Sequence, residues 1–293
     1  TDTVDTTTLT LGDIAVAEGS DSATVSATLS NSTDRAFTVT LSNGATITFA
    51  AGSTTGISSA FAVQGDDVYQ DGESYTISVV NAGEHNFEQL TSNEATVNIT
   101  DTVDTTTLTL GDITVAEGSD SATVSATLSN PTDRAFTVTL SNGATITFAA
   151  GSTTATSSAF AVQGEDVYQD GESYTLSVTN AGEHNFEQLD TSDTATVTVT
   201  DTVDTTTLTL GDITVAEGSD SATVSATLSN PTDRAFTVTL SNGATITFAA
   251  GETIGTSSEF AVQGDDVYQD GESYTLSVAN AGEHNFEQLD TSD

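Results

Sequence analysis

Apolar residues in this chain recur at every second position, in short runs parted by polar turns. From 100 to 200 the runs are Leu108/Leu110, Ile113/Val115, Val124/Ala126/Leu128, Phe136/Val138/Leu140, Ile146/Phe148, Phe160/Val162, Tyr174/Leu176/Val178 and Val197/Val199. A period of two lines up one face of a β-strand, and the intervening Thr, Ser and Val favour strand over helix. The first two runs are out of phase, because Leu110 to Ile113 is an odd step across Gly111-Asp112. A bulge or a switch between sheets repairs that parity. The pattern therefore predicts about seven strands of roughly five to nine residues, the signature of an immunoglobulin-like β-sandwich.

The pattern is written three times. Ala-Glu-Gly-Ser-Asp-Ser-Ala-Thr-Val begins at Ala17, Ala116 and Ala216, and Asn-Gly-Ala-Thr-Ile-Thr-Phe at Asn43, Asn142 and Asn242. That spacing exceeds the roughly 20–50 residues of a solenoid unit and suits one self-sufficient domain. The expectation is an all-β chain of three tandem immunoglobulin-like sandwich domains in an extended rod, over 1–99, 100–199 and 200–293. The runs that close the first two repeats, from Ala95 and Ala195, have no third copy before Asp293. The third domain is thus expected to lack its final strand and to be the least stable, and the chain reads as a piece of something longer.

Charge changes the picture most. Asp and Glu number 43 against three Arg (Arg35, Arg134, Arg234) and no Lys, a net charge of −40. Such a chain lacks the basic footprint that nucleic acid requires, and it is repelled by anionic membrane surfaces. Disorder is argued against by the clean alternation and recurring aromatics. No Cys is present to staple the domains, which leaves metal ions as candidate cross-links. No run approaches the roughly 20 apolar residues of a membrane span, and no signal peptide opens the chain.

Counting strand reversals assigns each loop to one end of its domain. At the junction of the second and third repeats, one end offers Glu117, Asp120, Glu165, Asp166, Asp170 and Glu172. The linker adds Asp201 and Asp204, and the facing loops add Asp233, Glu283, Glu287, Asp290 and Asp293. The junction before it repeats the spacing with Asp66, Asp67, Asp71 and Glu73, and the third repeat carries Glu217, Asp265, Asp266 and Asp270. Dense oxygen ligands without Cys point to Ca²⁺, which takes about six to eight oxygens, rather than to zinc or copper. The Gly within Asp-Gly-Glu is read as permitting a sharp turn.

At these residues the chain resembles a family. Glu18-Gly19, Phe49-Ala-Ala-Gly52 and Asp66-Asp67 with Asp71-Gly72-Glu73 are similar to the Calx-β pattern, an immunoglobulin-like calcium-binding module. The whole repeat, with Phe-Ala-Val-Gln-Gly-Asp-Asp-Val-Tyr and Asp-Gly-Glu-Ser-Tyr, more closely resembles the extender repeats of giant bacterial RTX adhesins, the ice-binding one nearest. The resemblance implies display on the bacterial cell surface, type I secretion and calcium at the domain junctions. It also implies ligands at Glu18, Asp66, Asp67, Asp71 and the linker acids Asp101 and Asp104. The second repeat departs from it with Glu165 where the others have Asp66 and Asp265. The nonapeptide glycine-rich calcium motif of RTX proteins is absent from this segment.

The expected function is a calcium-stiffened spacer, monomeric, its partners the neighbouring repeats of the same chain, holding a distal binding domain away from the cell. Rivals are weighed against it. His85, His184 and His284, each in Gly-Glu-His-Asn-Phe-Glu, could serve as a base, yet no nucleophile or oxyanion donor accompanies them. Alternating Thr (Thr107/Thr109, Thr137/Thr139, Thr145/Thr147, Thr196/Thr198) could bind ice or carbohydrate, but Thr is also an ordinary solvent-face strand former. Homophilic adhesion lacks an evident exposed aromatic anchor, and Tyr69, Tyr168 and Tyr268 are expected to pack under the acidic loops.

Overall fold

The computed structural model describes residues 3–292; Thr1, Asp2 and Asp293, the last assigned above to a junction, lie outside the described residues. Among them every regular element is a strand. The chain is all-β, built as three tandem immunoglobulin-like repeats.

The first repeat shows how alternation becomes a sandwich. Thr6–Leu11 buries Thr7, Leu9 and Leu11 and exposes the Thr between them. It lies antiparallel to Ser26–Leu29 and parallel to Gln89–Ser92, and Thr55–Ile57 extends the sheet beyond Ser26–Leu29. The chain then changes sheets. Ile14–Ala17 runs parallel to Ala95–Thr100, which pairs with Ser74–Ile77. Phe37–Leu41 pairs with Thr46–Phe49 and Val79–Asn81. The parity break is therefore a sheet switch. At the crossing the Gly12 amide donates to Ser26 O at 2.9 Å, and a Cβ on Gly12 would lie 2.6 Å from Ser26 Oγ. Asp13 fixes the far side by accepting the Thr96 amide at 2.7 Å. Between the faces Leu9, Val25, Val39, Ile47, Phe49, Ile77 and Val97 are fully buried, and Phe37 stacks on Phe49 at 5.2 Å.

The strands differ from the pattern in detail. They run from three to eight residues. The strand expected at Phe160/Val162 shrinks to a single bridge between Ala122 and Phe160. Two short strands went unanticipated, Thr154–Thr156 and Gln188–Asp190, the latter parallel to Thr105–Thr107. A three-residue strand holds too few apolar positions to register as a period.

The residues divide into two compact units. One comprises Thr1–Leu110, Ala126–Thr156 and Ser177–Asp193; the other comprises Gly111–Ser125, Ser157–Leu176 and Thr194–Asp293. The first therefore holds the whole first junction and the second the whole second junction. In the second unit Ile113–Ala116 runs parallel to Thr194–Thr200. The equivalent stretch of the third repeat, 213–216, is not a strand, and Ile213 and Val215 are exposed. Ile213, Val215, Phe260, Tyr274 and Leu276 line an open groove.

Candidate metal centre

Each junction is assembled from a strand end, an acidic loop, the linker and the next repeat. In the second unit Glu117 follows Ile113–Ala116, its amide donating to Thr200 O at 3.0 Å, and its side chain is buried. Its Oε1 accepts the linker amide of Thr202 at 2.9 Å, and its Oε2 has no partner. Carboxylate oxygens of Glu117, Asp201 and Glu287 gather within 4.8 Å of one another, as do those of Glu117, Asp166 and Asp170. Glu287 belongs to the next repeat, and its Oε2 accepts the Asp204 amide. The buried Asp201 Oδ1 and Glu287 Oε1 also lack partners.

The first unit repeats this chemistry. Glu18 Oε1 accepts the Thr102 amide at 3.0 Å, and Glu187 Oε2 accepts the Asp104 amide at 2.6 Å. Glu18 Oε2, Asp101 Oδ1 and Glu187 Oε1 are buried without a hydrogen-bond partner, and Glu18, Asp71 and Asp101 cluster within 4.8 Å. The third repeat brings together Glu217, Asp266 and Asp270, all exposed.

Not every predicted acid enters a cluster. Asp66 Oδ1 takes the Thr102 hydroxyl at 2.5 Å, and Glu165 takes the Thr202 hydroxyl in the same way, so both acids hold the linker. Asp67 Oδ1 accepts the Tyr69 amide at 2.8 Å. Asp166 and Asp266 make the same bond to Tyr168 and Tyr268 while also joining clusters. Glu73 and Glu172 meet the closing strand through backbone hydrogen bonds to Ile99 and Val199. Asp104 and Asp204 contribute their amides to Glu187 and Glu287. Asp265 lies beside Gly218, and a Cβ there would come within 2.7 Å of it.

Two features were missed in the ligand assignment. Glu187 and Glu287 are not among the expected ligands, although Glu287 is placed among the facing-loop acids of its junction; in the structure Glu287 clusters with Glu117 and Asp201, and Glu187 lies beside Glu18. Gly72 and Gly171 do not adopt positive φ. Their role is room: a Cβ on Gly171 would sit 2.9 Å from Asp201 Oδ1 and 3.1 Å from Val199 O.

The electrostatics follow from crowding. Burial raises Glu18, the Thr102 amide opposes that, and the neighbouring Glu187 carboxyl adds to it. Glu117 is pushed up to about 7 by burial, opposed by the Thr202 amide and assisted by Glu287. Buried polar atoms are nearly always paired, and adjacent carboxylates destabilise one another. At the second junction the carboxylates of Glu117, Asp201 and Glu287, each with one unpartnered oxygen, lie close enough together to fit an oxygen-seeking cation.

Other candidates resolve differently. His184 packs edge-on to Phe136 at 6.0 Å, beside Phe186, and its Nδ1 is buried without a hydrogen-bond partner. Arg134 and Arg234 donate to the carbonyls of His184 and His284 at 2.8 and 2.9 Å. Thr137 and Thr147 bond each other across strands at 2.8 Å.

A tandem β-sandwich array with acids converging at its junctions is the class of protein these observations define. The LapA domain family matches residues 5–102, 104–202 and 204–293, and the chain belongs to that family. It is a family of large cell-surface adhesins, non-enzymatic in general. No curated protein matches the chain. A solved structure titled "Crystal structure of CBD12 from CALX1.2" is 11% identical, covering 66% of this chain and 99% of its own. Its TM-score of 0.27 is too low to carry any argument here. No helix is long and apolar enough to cross a membrane.

Proposed function

We propose that the chain is an extender segment of a bacterial cell-surface adhesin, stiffened by Ca²⁺ held at its acidic junctions and projecting a distal binding domain away from the cell. The domains would follow the sequence repeats, 1–99, 100–199 and 200–293. The observation that carries this is the orphaned trio at each junction: Glu18, Asp101 and Glu187, then Glu117, Asp201 and Glu287. Membership in an adhesin repeat family supports the spacer role. Secretion by a type I route and an RTX parent protein belong to the same reading, on the sequence resemblance.

Glu18 and Glu117 would supply the buried oxygens from one repeat, Asp101 and Asp201 those of the linker, and Glu187 and Glu287 those of the next repeat. Asp71, Asp166 and Asp170 would complete the shells. Bound calcium supplies positive charge that offsets carboxylate repulsion and ties both repeats to one point. Extracellular modules bind calcium at about 10⁻⁴–10⁻³ M, and roughly tenfold excess over Kd adds about 1.4 kcal/mol per site. That is a useful share of a domain's total of about 5–15 kcal/mol.

Small-angle scattering titrated with calcium, against magnesium and EDTA, tests the reading alongside calorimetry. Calcium-specific heat and a stiffer ensemble are expected. An unchanged profile with no heat would reduce the acids to solvation.

A further inference from the structure

Each junction also contains a contact in which no carboxylate takes part. The Gln70 amide donates to Asn185 O at 2.8 Å and the Glu187 amide to Val68 O at 3.0 Å, a short antiparallel bridge between loops of consecutive repeats. Between those bonds the Tyr69 ring stacks on Phe186, centroids 5.9 Å apart, and its hydroxyl donates to Pro131 O at 2.6 Å. The second junction copies the set. Gln169 donates to Asn285 O at 2.9 Å, Glu287 to Val167 O at 3.1 Å, Tyr168 stacks on Phe286 at 6.0 Å, and its hydroxyl donates to Pro231 O at 2.8 Å.

The chain contains its own controls. Phe186 and Phe286, each under a tyrosine of the preceding repeat, are buried, whereas Phe87, which no such tyrosine covers among the described residues, is only half-buried. Val167 and Tyr168 pack against the core of the third repeat. Their copies Val267 and Tyr268, which no further repeat covers among the described residues, are 91% and 70% exposed. Identical side chains thus change state with the presence of a neighbour. Burial also pushes the Tyr69 and Tyr168 phenols up.

We propose that Val68–Tyr69–Gln70 and Val167–Tyr168–Gln169 are a docking latch for the following repeat that holds without any ion. Backbone bonds, ring stacking and one phenol hydrogen bond supply it, and none of these requires the acids to be neutralised. The latch does a second thing, which rests on the calcium reading above. Glu187 and Glu287 are bonded to it through their own amides, so it places the next repeat's carboxylate opposite Glu18 and Glu117. Tyr69 and Tyr168 are then positioning residues for the junction. Val267–Tyr268–Gln269 is the same surface, fitted for another repeat of this kind.

Nitration of the intact chain by tetranitromethane in EDTA, read by mass spectrometry, tests the latch, since the three tyrosine segments differ in sequence. Tyr69 and Tyr168 are expected to react at least about tenfold more slowly than Tyr268, because reaction must wait for the junction to open. Equal reactivity of the three in EDTA would overturn the latch, whatever calorimetry says of calcium. For the positioning role, Tyr168→Ala is expected to weaken calcium uptake at one junction by about tenfold or more, with Tyr168→Phe close to the parent. Unaltered affinity in Tyr168→Ala would overturn that role. If the parent chain takes up no calcium, the calcium reading fails while the nitration result still decides the latch.

Discussion

Glu117 Oε1 accepts the Thr202 amide at 2.9 Å, so the acid that ends one strand also holds the start of the linker to the next repeat. The other oxygen of the same carboxylate is left buried and unpartnered beside Asp201 and Glu287. One side chain thereby couples linker geometry to the charge state of the junction.

That coupling has a pH signature. Glu117 moves from its ordinary 4.5 to about 7 in the folded chain, chiefly through burial. Between those values the folded state keeps a proton that the unfolded state has lost, so stability is highest below the window and falls as pH rises through it. In EDTA, Tm is expected to climb as pH is lowered from about 7.5 to about 5.5. Glu117→Gln should flatten that slope, and a Tm that drops over the same range would contradict the assignment.

Glu287, one of the facing-loop acids of the second junction, clusters with Glu117 and Asp201 and supplies a direct check on the metal reading. Glu287→Gln keeps an oxygen for the Asp204 amide and removes one charge. Calorimetry is expected to show about tenfold or greater loss of calcium affinity at one junction. In EDTA the same variant should melt no lower than the parent, because a carboxylate crowded by like charges has been relieved. A normal calcium isotherm would remove Glu287 from the ligand set.

Phe286 is fully buried between Phe236 and the preceding repeat's Tyr168. Truncation to Ala is expected to cost about 3–5 kcal/mol by chemical denaturation. Phe87→Ala should cost less, since its ring is only half-buried. Equal losses would mean that junction packing adds nothing.

Gly171 lies against the linker acid. A methyl group there would meet Asp201 Oδ1 at 2.9 Å and Val199 O at 3.1 Å, and the second of these is backbone. Gly171→Ala is expected to destabilise by about 1–3 kcal/mol and to weaken calcium binding by displacing Asp201. Retention of both properties would show that the closing strand yields freely.

Hydrogen exchange should separate the copies. Amides of Ile113–Ala116 sit beside Thr194–Thr200 in parallel pairing, while residues 213–216 have no such strand partner among the described residues. The latter are expected to exchange at the rate of open loops and the former with the folded core. Uniform protection across the repeats would refute this.

The sequence by itself determined the repeat, the strand class, the parity break at Gly111-Asp112 and the gathering of acids in the loops. Those follow from local rules: a period of two, turn residues at fixed offsets, and charge kept off the buried faces. It could not distinguish acids that cluster from acids that tie down the linker, as Asp66 and Glu165 do through Thr102 and Thr202. Nor could it show that Gly171 makes room rather than turns, or that Tyr168 reaches the following repeat and stacks on Phe286. Each of these depends on two segments remote in sequence meeting at one junction, as Tyr168 meets Phe286. Local pattern carries no record of such a meeting; only the packed chain decides it.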